Sequence, residues 1–157
     1  MLREKIKNKE PGILFYGLTP PKLNNSPEKI AEISDKHIGR IRNLEIDGLI
    51  LYDIQDETLR TDKERPFPFL PTIDPLIYSY QNLQSLKTPR IIYQCIGKHT
   101  QSSFSEWLQM SAGQDFYSVF VGAASKEQKF ELSMTQAYGL TAENGLSAYR
   151  TEPRCAH

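Results

Sequence analysis

The side chains best equipped for chemistry are concentrated between Asp53 and Arg65. Asp53, Asp56 and Glu57 come first, followed by Arg60, Asp62, Lys63, Glu64 and Arg65. Carboxylates at that density can orient the hydroxyls of a ribityl chain, hydrogen-bond a donor-rich ring or hold a hard cation. The same groups can instead pair with Arg60, Arg65 and loop amides and simply fix a loop, and both readings stay open. A second candidate is Gly97-Lys98-His99, where a lysine can form a Schiff base or bind phosphate and a histidine can shuttle protons. Neighbouring residues on an extended backbone point opposite ways, so these two are expected not to converge. Gly122-Ala123-Ala124-Ser125 can offer backbone amides to a phosphate, and a tight turn explains it equally well.

These groups need elements to place them. Gly48-Leu49-Ile50-Leu51-Tyr52 reads as a strand buried on both faces, the middle of a parallel sheet. The charged stretch follows directly and ends in Pro66-Phe67-Pro68-Phe69, which reads as an apolar plug. Strand-to-helix connections usually run about 2–6 residues, so this one is long enough to carry a site. Further strands are predicted at Ile13 to Tyr16, stopped by Pro20-Pro21, at Arg90 to Ile96 and at Phe116 to Val121. Ser26-Pro27-Glu28 and Asp74-Pro75 are helix starts, a cap followed by proline at the first helical position. Ser103 is the expected cap of a third helix and Ser133 of a fourth, reaching about Asn144-Gly145. Ile30, Ile33, His37, Ile41 and Leu44 mark one buried helical stripe, on which His37 is a structural histidine.

Four strand-then-helix units imply an α/β fold with a parallel sheet and right-handed crossovers. Both an open doubly wound sheet and part of a (β/α)8 TIM barrel fit, the latter normally needing about 250 residues. In either, ligands bind at the carboxyl ends of the strands. No Gly-x-Gly-x-x-Gly and no Walker loop follows a strand, which removes the common nucleotide-binding variants.

Charge is balanced, 19 basic against 19 acidic residues, so nothing in the total points to nucleic acid or an anionic membrane surface. No apolar run approaches the ~20 residues a membrane helix needs. The first seven residues, Met1 to Lys7, lack the apolar stretch of a secretory signal, and a cytoplasmic location is the expectation. Cys95 and Cys155 make neither a disulfide framework nor a metal spacing, and no metal site is expected. Cys95 reads as an inert core residue.

Taken together, the strand ends resemble those of the methylenetetrahydrofolate reductase-like family of TIM barrels, in a divergent branch. The residues that carry the likeness are the first strand running into Thr19-Pro20-Pro21, Leu51 to Glu57, Arg65 to Phe69 with Asp74-Pro75, and Val119-Phe120-Val121-Gly122-Ala123. The resemblance implies a partial barrel of about four parallel β/α units over 1–145. Residues 146–157 would be an irregular tail that reads like a truncated or frame-shifted end. It further implies a flavin-dependent oxidoreductase of folate and one-carbon metabolism, with FAD at the strand ends, NAD(P)H as reductant and a folate-like substrate.

Carried onto this chain, cofactor contacts would fall on Thr19, Tyr52, Asp53, Gln55, Asp56, Gln94, Gly122 and Ala123. Asp53, Glu57 and Lys98 are the catalytic candidates. The chain departs from the family at three polar positions. Gly17 stands where the reductases carry a proton-donating glutamate, Ile92 where they carry a flavin-side histidine, and Ala124 where they carry an aspartate beside the flavin. Two alternatives remain: a non-catalytic module that binds itself or a partner through an open sheet edge, and a Schiff-base lyase using Lys98.

Overall fold

The computed structural model describes residues 2–56, 66–112, 114, 116–122 and 131–144. Glu57, Arg60, Arg65, Ala123, Ala124 and the 146–157 tail lie outside the described residues. Four strands form one parallel sheet: β1 (Phe15–Leu18), β2 (Gly48–Leu51), β3 (Arg90–Cys95) and β4 (Phe116–Val121). They lie side by side in the order of the sequence. No switch point interrupts that order, so the described strands are not the doubly wound alternative, in which strand order reverses.

Local sequence explains the helices. Ser26 caps α2 (Pro27–Ile41), its hydroxyl accepting from the Lys29 amide, and Asp74 caps α3 (Pro75–Asn82) by accepting from Leu76 and Ile77. In each, proline fills a position whose N–H would have no partner anyway. For α4 (Gln101–Ser111) the expected cap is displaced by three residues. Thr100 is the cap and Ser103 stands at the third helical position, where the two side chains form a reciprocal capping box. Ser103 lost the role because Thr100 offers the same hydroxyl one turn earlier. Ser133 does cap α5 (Met134–Glu143), again in a capping box, with Gln136. The helical spacing therefore prevails over the strand-like alternation from Met134 onward.

All four of these helices cover the same face of the sheet. Leu18, Leu49, Leu51, Ile92 and Phe120 are buried in one cluster with Ile41 of α2, Leu76 and Tyr78 of α3, Phe104, Trp107 and Leu108 of α4 and Ala137 of α5. The register lines Leu18, Leu51 and Ile92 up across three strands. Alternation turns the intervening residues the other way. Ile50, Ile91, Tyr93, Val119 and Val121 belong to no part of that cluster. The expectation that β2 is buried on both faces therefore holds for its helix side, while Ile50 opposite is only half buried.

A short helix, α1 (Leu2–Lys7), closes the amino-terminal end of that second face. Lys5 pairs with Asp47, whose other carboxylate oxygen accepts from the Leu14 amide at 2.9 Å. Leu2 is buried against Gly48, where an added methyl would come 3.1 Å from the Leu2 side chain and 3.0 Å from the Phe15 ring. No helix among the described residues is long and apolar enough to cross a membrane.

Candidate functional site

The carboxyl ends of β1, β2 and β3 meet on the uncovered face. Tyr52 directly follows β2 and its amide donates to Leu18 O at 2.9 Å, continuing the ladder with β1. Its ring lies against that of Tyr93, with centroids 5.1 Å apart and planes tilted by 60°. An edge of the same ring stands beside the exposed Gly17, where a Cβ would sit 2.7 Å from Tyr52 Cε2. Gly17, read as the vacancy left by a missing acid, is thus a position beside which an aromatic ring stands.

Asp53 comes next and its side chain is 0% exposed. One carboxylate oxygen accepts from the Cys95 amide at 2.8 Å and the other pairs with Lys98 Nζ, whose side chain remains 33% exposed. Lys98 belongs to a single 3-10 turn, Ile96–Lys98, that ends β3. Asp53 thus has a partner 45 residues away in the chain, a lysine brought close by the β2–β3 pairing. Two residues on, Gln55 Nε2 donates to Gly122 O at 3.2 Å and reaches across to the end of β4. Its Oε1 is buried and without a partner.

Lys98 and His99 diverge as expected, although the 3-10 turn that ends at Lys98, not a continuous extended strand, sets them apart. His99 turns to the helix side, where a second polar cluster ties the starts of α3 and α4 together. Gln94, 1% exposed, donates from Nε2 to Asp74 Oδ2 at 3.2 Å and to His99 Nε2 at 2.6 Å. The reverse amide orientation would set its oxygen against the Asp74 carboxylate. With Nε2 accepting, the His99 proton sits on Nδ1 and is donated to Ser103 Oγ at 3.2 Å. Burial, the largest influence, pushes the His99 pKa down, while Asp74 and Asp53 pull it up and Lys98 pushes it further down. A neutral ring is what this arrangement requires.

Of the residues expected at the site, Tyr52, Asp53, Gln55, Lys98 and Gly122 converge on the strand-end rim. Thr19 is exposed where β1 ends, and Asp56 is exposed beyond Gln55. Gln94 packs beneath the helix starts, away from the rim. Sequence reading missed the part played by Tyr93, although Tyr52 and Tyr93 each follow directly on the paired residues Leu51 and Ile92. It also missed Asp74 and Ser103, which were legible as helix-start residues but not as partners of Gln94 and His99. Among the described residues no three His, Cys, Asp or Glu side chains are grouped to hold a metal ion.

His37 takes a structural part, its Nδ1 lying 3.0 Å from the buried Tyr78 hydroxyl, which is also 3.0 Å from Ser34 Oγ. Burial first, then Arg40, lowers its pKa.

No protein-family model matches the chain, and no curated protein does. Among solved structures the chain is similar to an uncharacterized protein from Clostridium thermocellum that binds two copies of 5-methyl-5,6,7,8-tetrahydrofolic acid, with 48% sequence identity and a TM-score of 0.75. The match covers 91% of this chain and 44% of that one, so the chain spans less than half the length of the protein it resembles.

Proposed function

We propose that this chain binds a reduced folate at the carboxyl-end rim of a barrel-type sheet, as a divergent relative of the methylenetetrahydrofolate reductase-like proteins. The observation that carries the reading is the 48% identity to a protein that binds 5-methyltetrahydrofolate. The fold supports it: four parallel strands in sequence order, with α2 to α5 on one side, are compatible with part of an eight-stranded barrel. The uncovered face would then be the inner lining.

At the rim, exposure sorts the roles. Tyr52 is 39% exposed and Tyr93 half-buried, so a flat pterin or aminobenzoyl ring can lie against their pair, as aromatic rings do in offset contacts. Lys98 presents a cation to a pterin carbonyl or a glutamate carboxylate. The Asp53 side chain is fully buried and its carboxylate is out of a ligand's reach, so it acts as a positioning residue that holds Lys98.

The flavin-linked reduction is the finer reading, and the residues present fit a flavin poorly. Gly17 brings no acid and has the Tyr52 ring beside it, and Ile92 and Gln94 face the helices rather than the rim. FAD with NAD(P)H would supply hydride chemistry if bound, and no residue described at the rim is a ready proton donor in the place of the family's glutamate. The Schiff-base reading fares worse, because Lys98 Nζ is engaged by a buried carboxylate instead of lying desolvated and uncharged.

Calorimetric titration of the full chain with 5-methyltetrahydrofolate tests the proposal. Saturable binding that falls about tenfold or more in Lys98→Met and Tyr52→Ala is the expected result. Heats indistinguishable from dilution would sink it. A parallel titration with FAD, read by flavin absorbance, separates binding from the reductase reading.

A second reading rests on the half-exposed apolar face and the open outer edges of β1 and β4. A second copy of the chain, or a partner, can cover them. Light scattering distinguishes the two, since a copy doubles the mass.

A further inference from the structure

Far from the rim, at the amino-terminal end of β3, a cavity of about 240 Å³ is lined by Ser79, Tyr80, Gln84, Arg90 and Phe116. Arg90 opens β3 and stands in register with Phe116, the first residue of β4. Its Nη2 donates to the carbonyls of Leu83 and Leu86, just beyond the last residue of α3. Those carbonyls orient the guanidinium, but they bring only partial charge. Among the described residues no carboxylate pairs with Arg90. Nε is buried without an acceptor, which leaves Nη1 as the nitrogen that is neither bonded nor buried.

The polar atoms of the cavity's neutral groups are more open to solvent than Nε, and they too are unengaged. The side chains of Ser79, Tyr80 and Gln84 make no hydrogen bond to any described residue. Buried polar groups in folded proteins are almost always paired, and a half-buried cation without a counter-charge is costly. Burial lowers the pKa of Arg90 and raises that of Tyr80, and each is partly offset by the other. A guanidinium bonded only through Nη2 and three polar side chains with no partner among the described residues converge on one cavity and describe a site waiting for an acceptor. A cap on α3 alone would need Nη2 and none of the others.

We propose that this cavity binds a small planar carboxylate, an aromatic acid being the best fit. A planar acid matches the guanidinium edge, with hydroxyls of Ser79 and Tyr80 available to its second oxygen. The rings of Tyr80 and Phe116 flank the same space and favour an aromatic body. Size sets the limit. A cavity of about 150 Å³ already admits benzene, whereas drug-sized ligands usually occupy about 300 Å³ or more. The site therefore takes a benzoate-sized acid and is independent of any folate at the opposite end of the strands.

Titration of the full chain with sodium benzoate, followed by amide NMR, tests this. Saturable shifts at residues 79–84, 90 and 116 are expected, with benzamide about tenfold weaker because it lacks the charge. Inorganic phosphate, which is not planar, should also bind more weakly than benzoate. Arg90→Lys should weaken benzoate binding several-fold. Because that change also disturbs the carbonyl contacts, Tyr80→Phe provides the decisive variant, with an unchanged fold and affinity reduced about threefold or more. Equal binding of benzoate and benzamide, phosphate matching benzoate, Tyr80→Phe binding like wild type, or no saturable shift would each overturn the proposal.

Discussion

On the helix side of the sheet Leu49, Leu51 and Ile92 are 0% exposed, while one residue along the same strands Ile50 and Tyr93 are half exposed. Both faces are apolar in composition. The difference lies in what covers them: among the described residues, α2 to α5 all pack on one side, and only α1 reaches the other, at its amino-terminal end. Stability should therefore come almost entirely from one face, leaving the second available for recognition.

Leu51→Ala breaks that comparison most severely. A fully buried leucine in a close-packed cluster should cost about 2–5 kcal/mol on truncation, measured by urea unfolding with an unchanged slope. Ile50→Ala removes a side chain that still touches water, and its cost should stay below about 1.5 kcal/mol. Equal losses from the two would mean that something covers the second face in solution. If that cover is another copy of the chain, the Ile50 loss will depend on protein concentration.

The two polar clusters at the strand ends extend the same contrast. Lys98→Met leaves the Asp53 carboxylate buried with only the Cys95 amide to satisfy it. A destabilisation of about 1–3 kcal/mol is expected, below the cost of breaking a fully buried pair because Lys98 is partly solvated. Adding Asp53→Asn should restore part of the loss, and a double-mutant cycle measures how much. Simple additivity would show that Asp53 does not depend on Lys98, and the positioning role would fall with it.

On the helix side the corresponding effect is a pH dependence. His99 and His37 both have folded-state pKa values lowered chiefly by burial. Below the unfolded value near 6.5 the unfolded chain binds protons that the folded chain refuses, so stability falls on acidification until the folded pKa is reached. Above about pH 6.5 the term vanishes. Each histidine contributes a slope of at most about 1.4 kcal/mol per pH unit in that window. His99→Gln should flatten the profile of denaturation midpoint against pH. An unchanged profile would show that His99 protonates without disturbing Gln94 and Asp74.

Why these clusters escaped the sequence follows from distance along the chain. The strands, the caps at Ser26, Asp74 and Ser133 and the parallel arrangement were legible, because each depends on a few neighbouring residues. Asp53 was also legible as a site residue, but its pairing with Lys98, 45 residues on, was not, because only neighbours in sequence suggest themselves as partners. Gln94 looked like a rim residue because strand ends point to ligands. Alternation along β3 sends it to the helices together with Ile92, a parity readable only once the covered face is known. Arg90 looked like an ordinary strand start, and its lack of a counter-ion among the described residues is a property of three-dimensional surroundings.

Gly17→Ala is the mildest change and bears most directly on recognition. Its Cβ would meet Tyr52 Cε2 at 2.7 Å and the Tyr52 hydroxyl at 3.3 Å. These are atoms of a partly exposed ring that can swing outward, so the cost is a displaced tyrosine rather than a broken strand. Alanine also loses less chain entropy than glycine on folding, worth about 0.5–1 kcal/mol, and the two effects should leave stability within about 1 kcal/mol of wild type. Ligand binding should respond differently, because moving Tyr52 off Gly17 separates it from Tyr93. If 5-methyltetrahydrofolate lies on that pair, affinity should drop several-fold while the unfolding midpoint barely moves. A variant that binds as tightly as wild type would remove the tyrosines from the site and leave Lys98 as its remaining contact.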